Sequence, residues 1–476
     1  MRFLLGPILL GLAVLMLAPC AVAMYYGSPD LTAFLLSEAA TASVAVFLMI
    51  TGRRKILHLR VRDMFLLTSV SWVLVCAFGA LPFVLSHTVT SFTDAVFESV
   101  SAITTTGATV LNGLDSMPRD MLLWRSILQW IGGLGIIALG TAVLPFLRIG
   151  GMRLFNTESS DFSEKALPST RRILNRLLYV YLIISLACGV SYSLAGMSPF
   201  DAINHAMTTV STGGFSTHDS SMAYFDSTAI EMIAVIFMLL AAVPFMLYLP
   251  LLLGRRSGLF SDGQVQSMLA AYFSVATVLT VWLLLSGQVD SFNAVRDAVF
   301  SVVSIATTTG FVSADYSAWG SFAAMTLFFL TFVGGCSGST SGGIKIFRFK
   351  IAAVMFNETL RRLLHPNAVF SRSMQGRPLT DEIVASVMAF SLAFALIVGI
   401  AATLLAAAGN DVVTSFSAAA TTMANVGPGI GDVIGPTGNF ASLTDQSKWV
   451  LCVTMLLGRL EIFTMLLLLT PAFWQD

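Results

Sequence analysis

The sequence predicts an all-α integral membrane protein with two N-terminal spans, followed by four pseudo-repeated helix, pore-loop, helix units around a central pore. Three observations predict it. First, 56% of the 476 residues are hydrophobic, the mean hydropathy is +0.82 and only 11% are charged, against roughly 25% in soluble domains. Second, ten apolar runs approach or exceed the ~20 residues needed to cross hydrocarbon. Third, a short motif recurs at fixed spacing: 13 positions separate Asp94 from Gly107, Asp201 from Gly214, Asp297 from Gly310 and, in a more degenerate copy, Thr414 from Gly427.

The first two spans, 4–25 and 31–51, flank the short polar turn Tyr26-Gly27-Ser28-Pro29-Asp30. The start of the chain resembles a secretory signal, and Leu17-Ala18-Pro19-Cys20 hints at a lipoprotein box. Pro19 beside Cys20 departs from that box and the run is long enough to span, so a retained helix is expected.

Eight further runs follow, at 64–87, 121–147, 177–197, 227–253, 266–286, 319–348, 382–408 and 447–472. Between the members of each successive pair lies one motif segment, at 92–109, 200–216, 293–312 and 412–430. Each opens with about ten residues of helical character, too short and polar to cross alone, and ends in a Gly/Thr-rich stretch. One such segment would read as an ordinary outer loop; four at matched positions read as re-entrant loops lining a wet cavity. The units expected are 1–62 for the N-terminal spans, then pore repeats at 63–170, 171–258, 259–375 and 376–476.

Charge placement fixes an orientation. With the N-terminus inside, the inner loops 52–63, 148–176, 254–265 and 345–380 carry 5, 6, 2 and 7 Lys or Arg, which with Arg2 account for 21 of the 26. That is a positive-inside excess. It places the four motif segments outside, among Asp94, Glu98, Asp115, Asp201, Asp219, Asp297 and further aspartates that would concentrate cations. Net charge is zero, which gives no reason to expect nucleic acid as a partner. The five cysteines stand singly in apolar or small-residue runs, the five histidines are scattered, and no nucleophile–base or metal-ligand set appears, so an intramembrane enzyme is not expected.

In register, the motifs are Thr105-Thr106-Gly107-Ala108, Thr212-Gly213-Gly214-Phe215, Thr308-Thr309-Gly310-Phe311 and Asn425-Val426-Gly427-Pro428. Stripping water from a cation takes several oxygen ligands at fixed distance. Backbone carbonyls provide them where glycine permits the necessary dihedrals. The pattern is a loose version of the Thr-Val-Gly core of potassium-channel filters, with four unequal loops replacing four identical subunits. Gly213 and Gly214 compete for the critical place; the spacing from Asp201 and the match of Phe215 to Phe311 select Gly214. The C-terminal dipole ends of the short helices would favour a cation.

On these motifs the chain resembles, over its whole length, the Trk/Ktr/HKT superfamily of potassium transporters, and within it the TrkH-type subunits. The resemblance implies uptake of K+ across a bacterial inner membrane through a gated selectivity filter, with no organic cofactor. Some sodium-favouring relatives have serine at the first filter glycine, so Gly107 argues for potassium. The resemblance also implies a homodimer on a cytosolic ring of TrkA-type nucleotide-binding regulatory subunits. No nucleotide-binding fingerprint occurs in this chain, so such control would come from a partner.

Gly334-Gly335-Cys336-Ser337-Gly338-Ser339-Thr340-Ser341-Gly342-Gly343 interrupts one long run. Five glycines at about 1 kcal/mol each make an unbroken helix improbable. Small-residue packing is the alternative, but the run lacks the large apolar residues that a packing face would alternate with. The family has a gating loop at this place, and the resemblance assigns it to 334–343. It also carries to Arg459, an ionisable residue within the last span, a place near the pore and gate. Pairing of Arg459 with Glu461, or snorkelling to the interface, is the competing reading. The basic stretch from Ile344 to His365 either anchors at lipid headgroups or docks the regulatory partner. A variant of the same reading couples potassium to proton or sodium entry through Asp94, Glu98, Asp201 and Asp297, and a poorly selective K+/Na+ conductance is a further alternative. The aspartates' other expected role is to cap the pore helices.

Overall fold

A computed structural model describes residues 2–52, 61–142, 167–252, 254, 258–287, 289–368, 370, 372–374 and 377–475. Arg53-Arg54-Lys55 and most of the basic loop 148–176 lie outside the described residues. Helices α1 (Arg2–Tyr26) and α2 (Leu31–Thr51) pack against each other, and α1 also lies along the first repeat. The buried face of α1, including Leu5, Leu9, Leu12, Met16 and Cys20, follows the helical period of three to four.

The first repeat comprises α3 (Val61–Gly79) with its short continuation α4 (Leu81–Leu85), the pore helix α5 (Phe92–Ile103) and α6 (Arg119–Ala142). In the second, α7 (Leu167–Leu194), the pore helix α8 (Pro199–Val210) and α9 (Thr228–Ala242) are followed by α10 (Leu249–Leu252). The third has α11 (Gly263–Ser286), the pore helix α12 (Ser291–Ala306), α13 (Ser321–Leu330) and α14 (Ile346–Leu364). A two-residue-per-strand hairpin, Ser373–Met374 with Arg377–Pro378, precedes the fourth. There α15 (Asp381–Ala407), the pore helix α16 (Val412–Ala424), α17 (Asp445–Arg459), α18 (Ile462–Leu468) and α19 (Pro471–Gln475) complete the chain. Two expected boundaries shift: α3 already begins at Val61 and α7 at Leu167, so the cuts at 62/63 and 170/171 fall inside helices.

Two of the expected continuous spans are broken, and a third is interrupted as its glycine-serine stretch predicts. The run 227–253 bends by 100° at Val243–Pro244, and the run 447–472 bends by 115° after Arg459, where Glu461 has φ +62°. Pro244 lacks the N–H that would continue the helix. The run 319–348 is non-helical from Thr331 to Lys345, wider than the glycine-serine stretch itself. All three breaks meet beneath the pore loops, where freed backbone groups find partners in protein instead of lipid.

The aspartates do not cap the pore helices as expected. Ser91 and Ser198 are the N-caps of α5 and α8, accepting the amides of Asp94 and Asp201, which stand at the third helical position. In the fourth repeat Asp411 caps α16 by accepting the Thr414 amide. Asp297 lies a further turn inside its helix, because α12 begins earlier, at Ser291. Each side-chain cap contributes about 1 kcal/mol.

Candidate functional site: a ring of four glycine-centred loops

Each pore helix ends the same way. The amides of Thr106, Gly213, Thr309 and Val426 bond the carbonyls of Ser101, Thr208, Ser304 and Thr421, five residues back. The preceding residues Thr105, Thr212, Thr308 and Asn425 all have positive φ, between 51° and 60°, and their amides bond three residues back. This is the Schellman termination. Threonine in that conformation is strained by roughly 1–2 kcal/mol, and the chain repeats it three times. Helix capping and the shaping of a pore loop are therefore one feature.

Two residues on, Gly107, Gly214, Gly310 and Gly427 again have positive φ, from 77° to 97°. Here glycine is required by its neighbours as well. A Cβ at Gly107 would lie 2.3 Å from the Gly213 carbonyl oxygen, at Gly214 1.9 Å from that of Thr309, at Gly310 1.9 Å from that of Val426, and at Gly427 2.7 Å from that of Thr106. The contacts run from each repeat to the next and close on the first. Four backbone carbonyls thus form a ring, each packed on the glycine of the preceding repeat. The residues the sequence singles out at 105–107, 212–214, 308–310 and 425–427 are all brought together, and all but Gly107, Gly214 and Gly310 are buried.

Outside the ring, the same cyclic order recurs in the loops. Leu114 donates to Asp219, Ala223 to the Val312 carbonyl, Tyr316 Oη to the Gly429 carbonyl, and Phe440 to the Thr109 carbonyl. Charged groups join the repeats as well: Asp115 with His218 at 2.5 Å, Glu231 with Arg296 at 3.4 Å, and Asp94 with Lys448 at 2.6 Å. A depression of about 550 Å³, open mouth included, leads down to the four glycines. Of the outer carboxylates expected around it, Asp219 lines the wall, together with His218 and Arg125.

Behind the ring, Glu98 is fully buried and receives Arg125 Nε at 2.8 Å, the Thr109 hydroxyl and the Val110 amide. Arg125 also donates to the Ser216 carbonyl and lies over the Phe215 ring. The carboxylates of Asp94, Glu98 and Asp297 are thus each held by a cation, and Asp201 accepts from Ser198 and Thr217. Sequence reasoning missed this use of Arg125. Its companion on α6, Gln129, four residues along the same face, was missed too. A polar pair at helical spacing inside an apolar run was the available signal.

Below the ring, the glycine-serine segment crosses from repeat to repeat. Gly342 donates to Thr308 Oγ1 at 2.7 Å, Gly343 to the Ala424 carbonyl at 2.9 Å, and Cys336 to the Ala242 carbonyl at 2.9 Å. Gly338 in turn accepts the Phe245 amide at 3.0 Å. Gly334 and Gly343 face each other so closely that a Cβ on either would meet the other strand of the segment within 3 Å. Gly335, Ser337, Ser339, Thr340 and Ser341 complete this packed plug, in which small residues serve close approach. Arg459 is buried and its Nη1 donates to the Thr340 carbonyl at 2.8 Å. It does not pair with Glu461, whose carboxylate takes Arg348 Nη2 at 2.6 Å. Lys345, Arg348 and Arg459 with Glu461 line a narrow cavity under the segment, giving it three cationic side chains and one anionic one.

A ring of backbone oxygens open on one face and covered on the other by a packed loop defines a four-repeat pore-loop membrane protein. Its residues 33–475 match the family model described as "TrkH: Cation transport protein". The chain belongs to the TrkH family of cation transport proteins. It is 48% identical over 466 residues to the Trk system potassium uptake protein TrkI of Halomonas elongata, covering 98% of this chain and 94% of that one. To the Trk system potassium uptake protein TrkH of Vibrio parahaemolyticus it is 40% identical over 484 residues, covering 99% and 98%. The crystal structure of the potassium transporter TrkH from Vibrio parahaemolyticus superposes with a TM-score of 0.92 at 38% identity, over 99% of this chain and 98% of that one. The expected fold and family, and with them the reading as a transporter in place of an enzyme, agree with these matches.

Proposed function

We propose that the protein takes up potassium through the four-loop ring acting as a selectivity filter, with the segment 334–343 as its gate. The carbonyl ring carries this reading: four oxygens fixed by interlocked glycines can replace the water around a dehydrated cation. The carboxyl ends of four pore helices lead into it and favour positive charge. The segment beneath is bonded to the ring through Thr308 and to three repeats in all, so its displacement would open the path inward. Arg459 at its lower side opposes a cation electrostatically and sets the closed-state barrier.

The membrane is the bacterial inner membrane, with the N-terminus and the basic loops on the cytoplasmic side, a reading that the excess of Lys and Arg in those loops supports. Regulation comes from a cytosolic TrkA-type nucleotide-binding subunit beneath a homodimer. Helix α14 leaves the gate directly and exposes Phe349, Phe356, Leu360, Leu363 and Leu364 beside Arg361 and Arg362, a surface suited to such a partner or to lipid.

The test of the filter is the potassium and sodium flux of Gly107→Ser in proteoliposomes. Added atoms at Gly107 meet the Gly213 carbonyl at 2.3 Å, so the K+/Na+ ratio is expected to fall. An unchanged ratio there and in Gly310→Ser would overturn the filter assignment.

A further inference from the structure

The second loop departs from the other three at one position. Where they have Thr106, Thr309 and Val426, it has Gly213, whose φ is not positive. Backbone conformation therefore does not call for glycine there. Space does: a Cβ at Gly213 would sit 2.4 Å from both Cδ and Oε1 of Gln129. Gln129 is fully buried on α6, its Nε2 donates to the Gly213 carbonyl at 2.6 Å, and its Oε1 accepts the Phe215 amide at 3.0 Å. One side-chain amide thus bridges both neighbours of Gly214. Among the described residues, the ring carbonyls of Thr106, Thr309 and Val426 have no comparable side-chain donor.

We propose that Gln129 is a specificity-determining positioning residue, and that Gly213 is glycine in order to admit it; the proposal rests on the reading of the ring as a filter. A carbonyl that already accepts an amide proton offers less of its negative charge to a cation and cannot swing freely toward a smaller one. The ring then consists of three ordinary ligands and one that is restrained. Sodium is refused in part because the second carbonyl cannot follow it. The amide also keeps the Phe215 N–H from competing for the carbonyls nearby. Arg125, one turn earlier on the same face, steadies the exit of the loop through the Ser216 carbonyl, so α6 fixes the second loop at two levels.

The experiment compares K+ and Na+ flux of the full-length protein in liposomes for Gln129→Leu, Gly213→Ala, and Gln129→Ala with and without Gly213→Ala. Each single variant that removes or displaces the amide is expected to lower the K+/Na+ ratio at least about fivefold, the effect of one lost hydrogen bond. Gly213→Ala should cost little more once Gln129 is alanine, because the group its Cβ meets is gone. A structural role alone would reduce the amount of folded protein without moving the ratio. Parent selectivity in folded Gln129→Leu, or fully additive effects, would overturn the proposal. If Gln129→Leu does not fold, Gly213→Ala tests the same contact from the loop side, and a parent ratio there is equally fatal. Gly107→Ser in the same liposomes separates the two failures. A lowered ratio there with parent values at 129 and 213 refutes only the role of Gln129, whereas parent values throughout refute the filter itself.

Discussion

The hydroxyl of Thr308 accepts the Gly342 amide at 2.7 Å. One residue therefore terminates a pore helix, shapes a quarter of the ring, and holds the segment that lies beneath it. Thr212 uses its hydroxyl differently, donating to the Ser211 carbonyl. The third repeat joins the ring and the glycine-serine segment through a side chain.

Thr308→Val keeps the branched shape and removes the acceptor. A buried N–H left without a partner costs about 1–3 kcal/mol, which under the proposed gating destabilises the closed state. Potassium flux measured without a regulatory partner is expected to rise about fivefold or more, with the K+/Na+ ratio unchanged. Flux at the parent level would show that this bond does not hold the gate.

Arg459→Ala should also raise flux, since it removes both the bond to the Thr340 carbonyl and a positive charge beneath the ring. Arg459→Lys keeps the charge and loses the fork of donors. Ion flux near the parent level in the lysine variant and high flux in the alanine variant would assign the barrier to charge. High flux in both would assign it to the hydrogen bond.

The buried pair of Glu98 and Arg125, 2.8 Å apart and almost fully inaccessible, fastens the loops of the first two repeats. Glu98→Gln leaves the guanidinium uncompensated, at a cost of about 3–5 kcal/mol. The thermal midpoint in detergent, followed by the recovery of monodisperse protein, is expected to fall. Adding Arg125→Met to Glu98→Gln should restore much of the loss, because no buried charge then remains.

The outer clasp of His218 predicts a pH dependence. Burial works against the charged imidazole, but Asp201 and Asp115 outweigh it and raise the pKa above its ordinary value. Asp115, chiefly through its bond to His218, is held below the usual carboxylate range. Nδ1 lies 2.5 Å from Asp115, Nε2 lies 3.5 Å from Asp201, and the ring stacks on Tyr224. The histidine's contribution is complete below about pH 6.5, its unfolded value, and is lost as pH rises through the higher folded value. The carboxylate's contribution is present above about pH 3.9 and disappears as pH falls through its lower folded value. Stability measured by thermal inactivation should therefore decline from mild acid to mild alkali, and His218→Gln should flatten that slope. An equal slope in both proteins would rule out the clasp.

Much of this protein is legible in its sequence. Hydropathy fixes the number of apolar runs because a bilayer admits only long apolar helices. The recurrence of Asp94, Asp201, Asp297 and Thr414 thirteen positions before a glycine reveals four loops, since each helix–loop unit must turn at the same depth. Glycine and serine between 334 and 343 mark where a span cannot remain helical.

Other features depend on contacts between segments far apart in the chain. The backbone groups freed at the Val243–Pro244 break, and the Arg459 side chain at the other, find their hydrogen-bond partners in the crossing segment. Glu461 has Arg348 as its partner instead of the nearby Arg459, as folding brings a helix 113 positions away beside it. The choice between Gly213 and Gly214 shows the division most plainly. Spacing alone selects Gly214 for the ring, and the positive φ of 77° agrees. Only the tertiary structure explains Gly213, because the reason for it is an amide on another helix, 84 residues earlier.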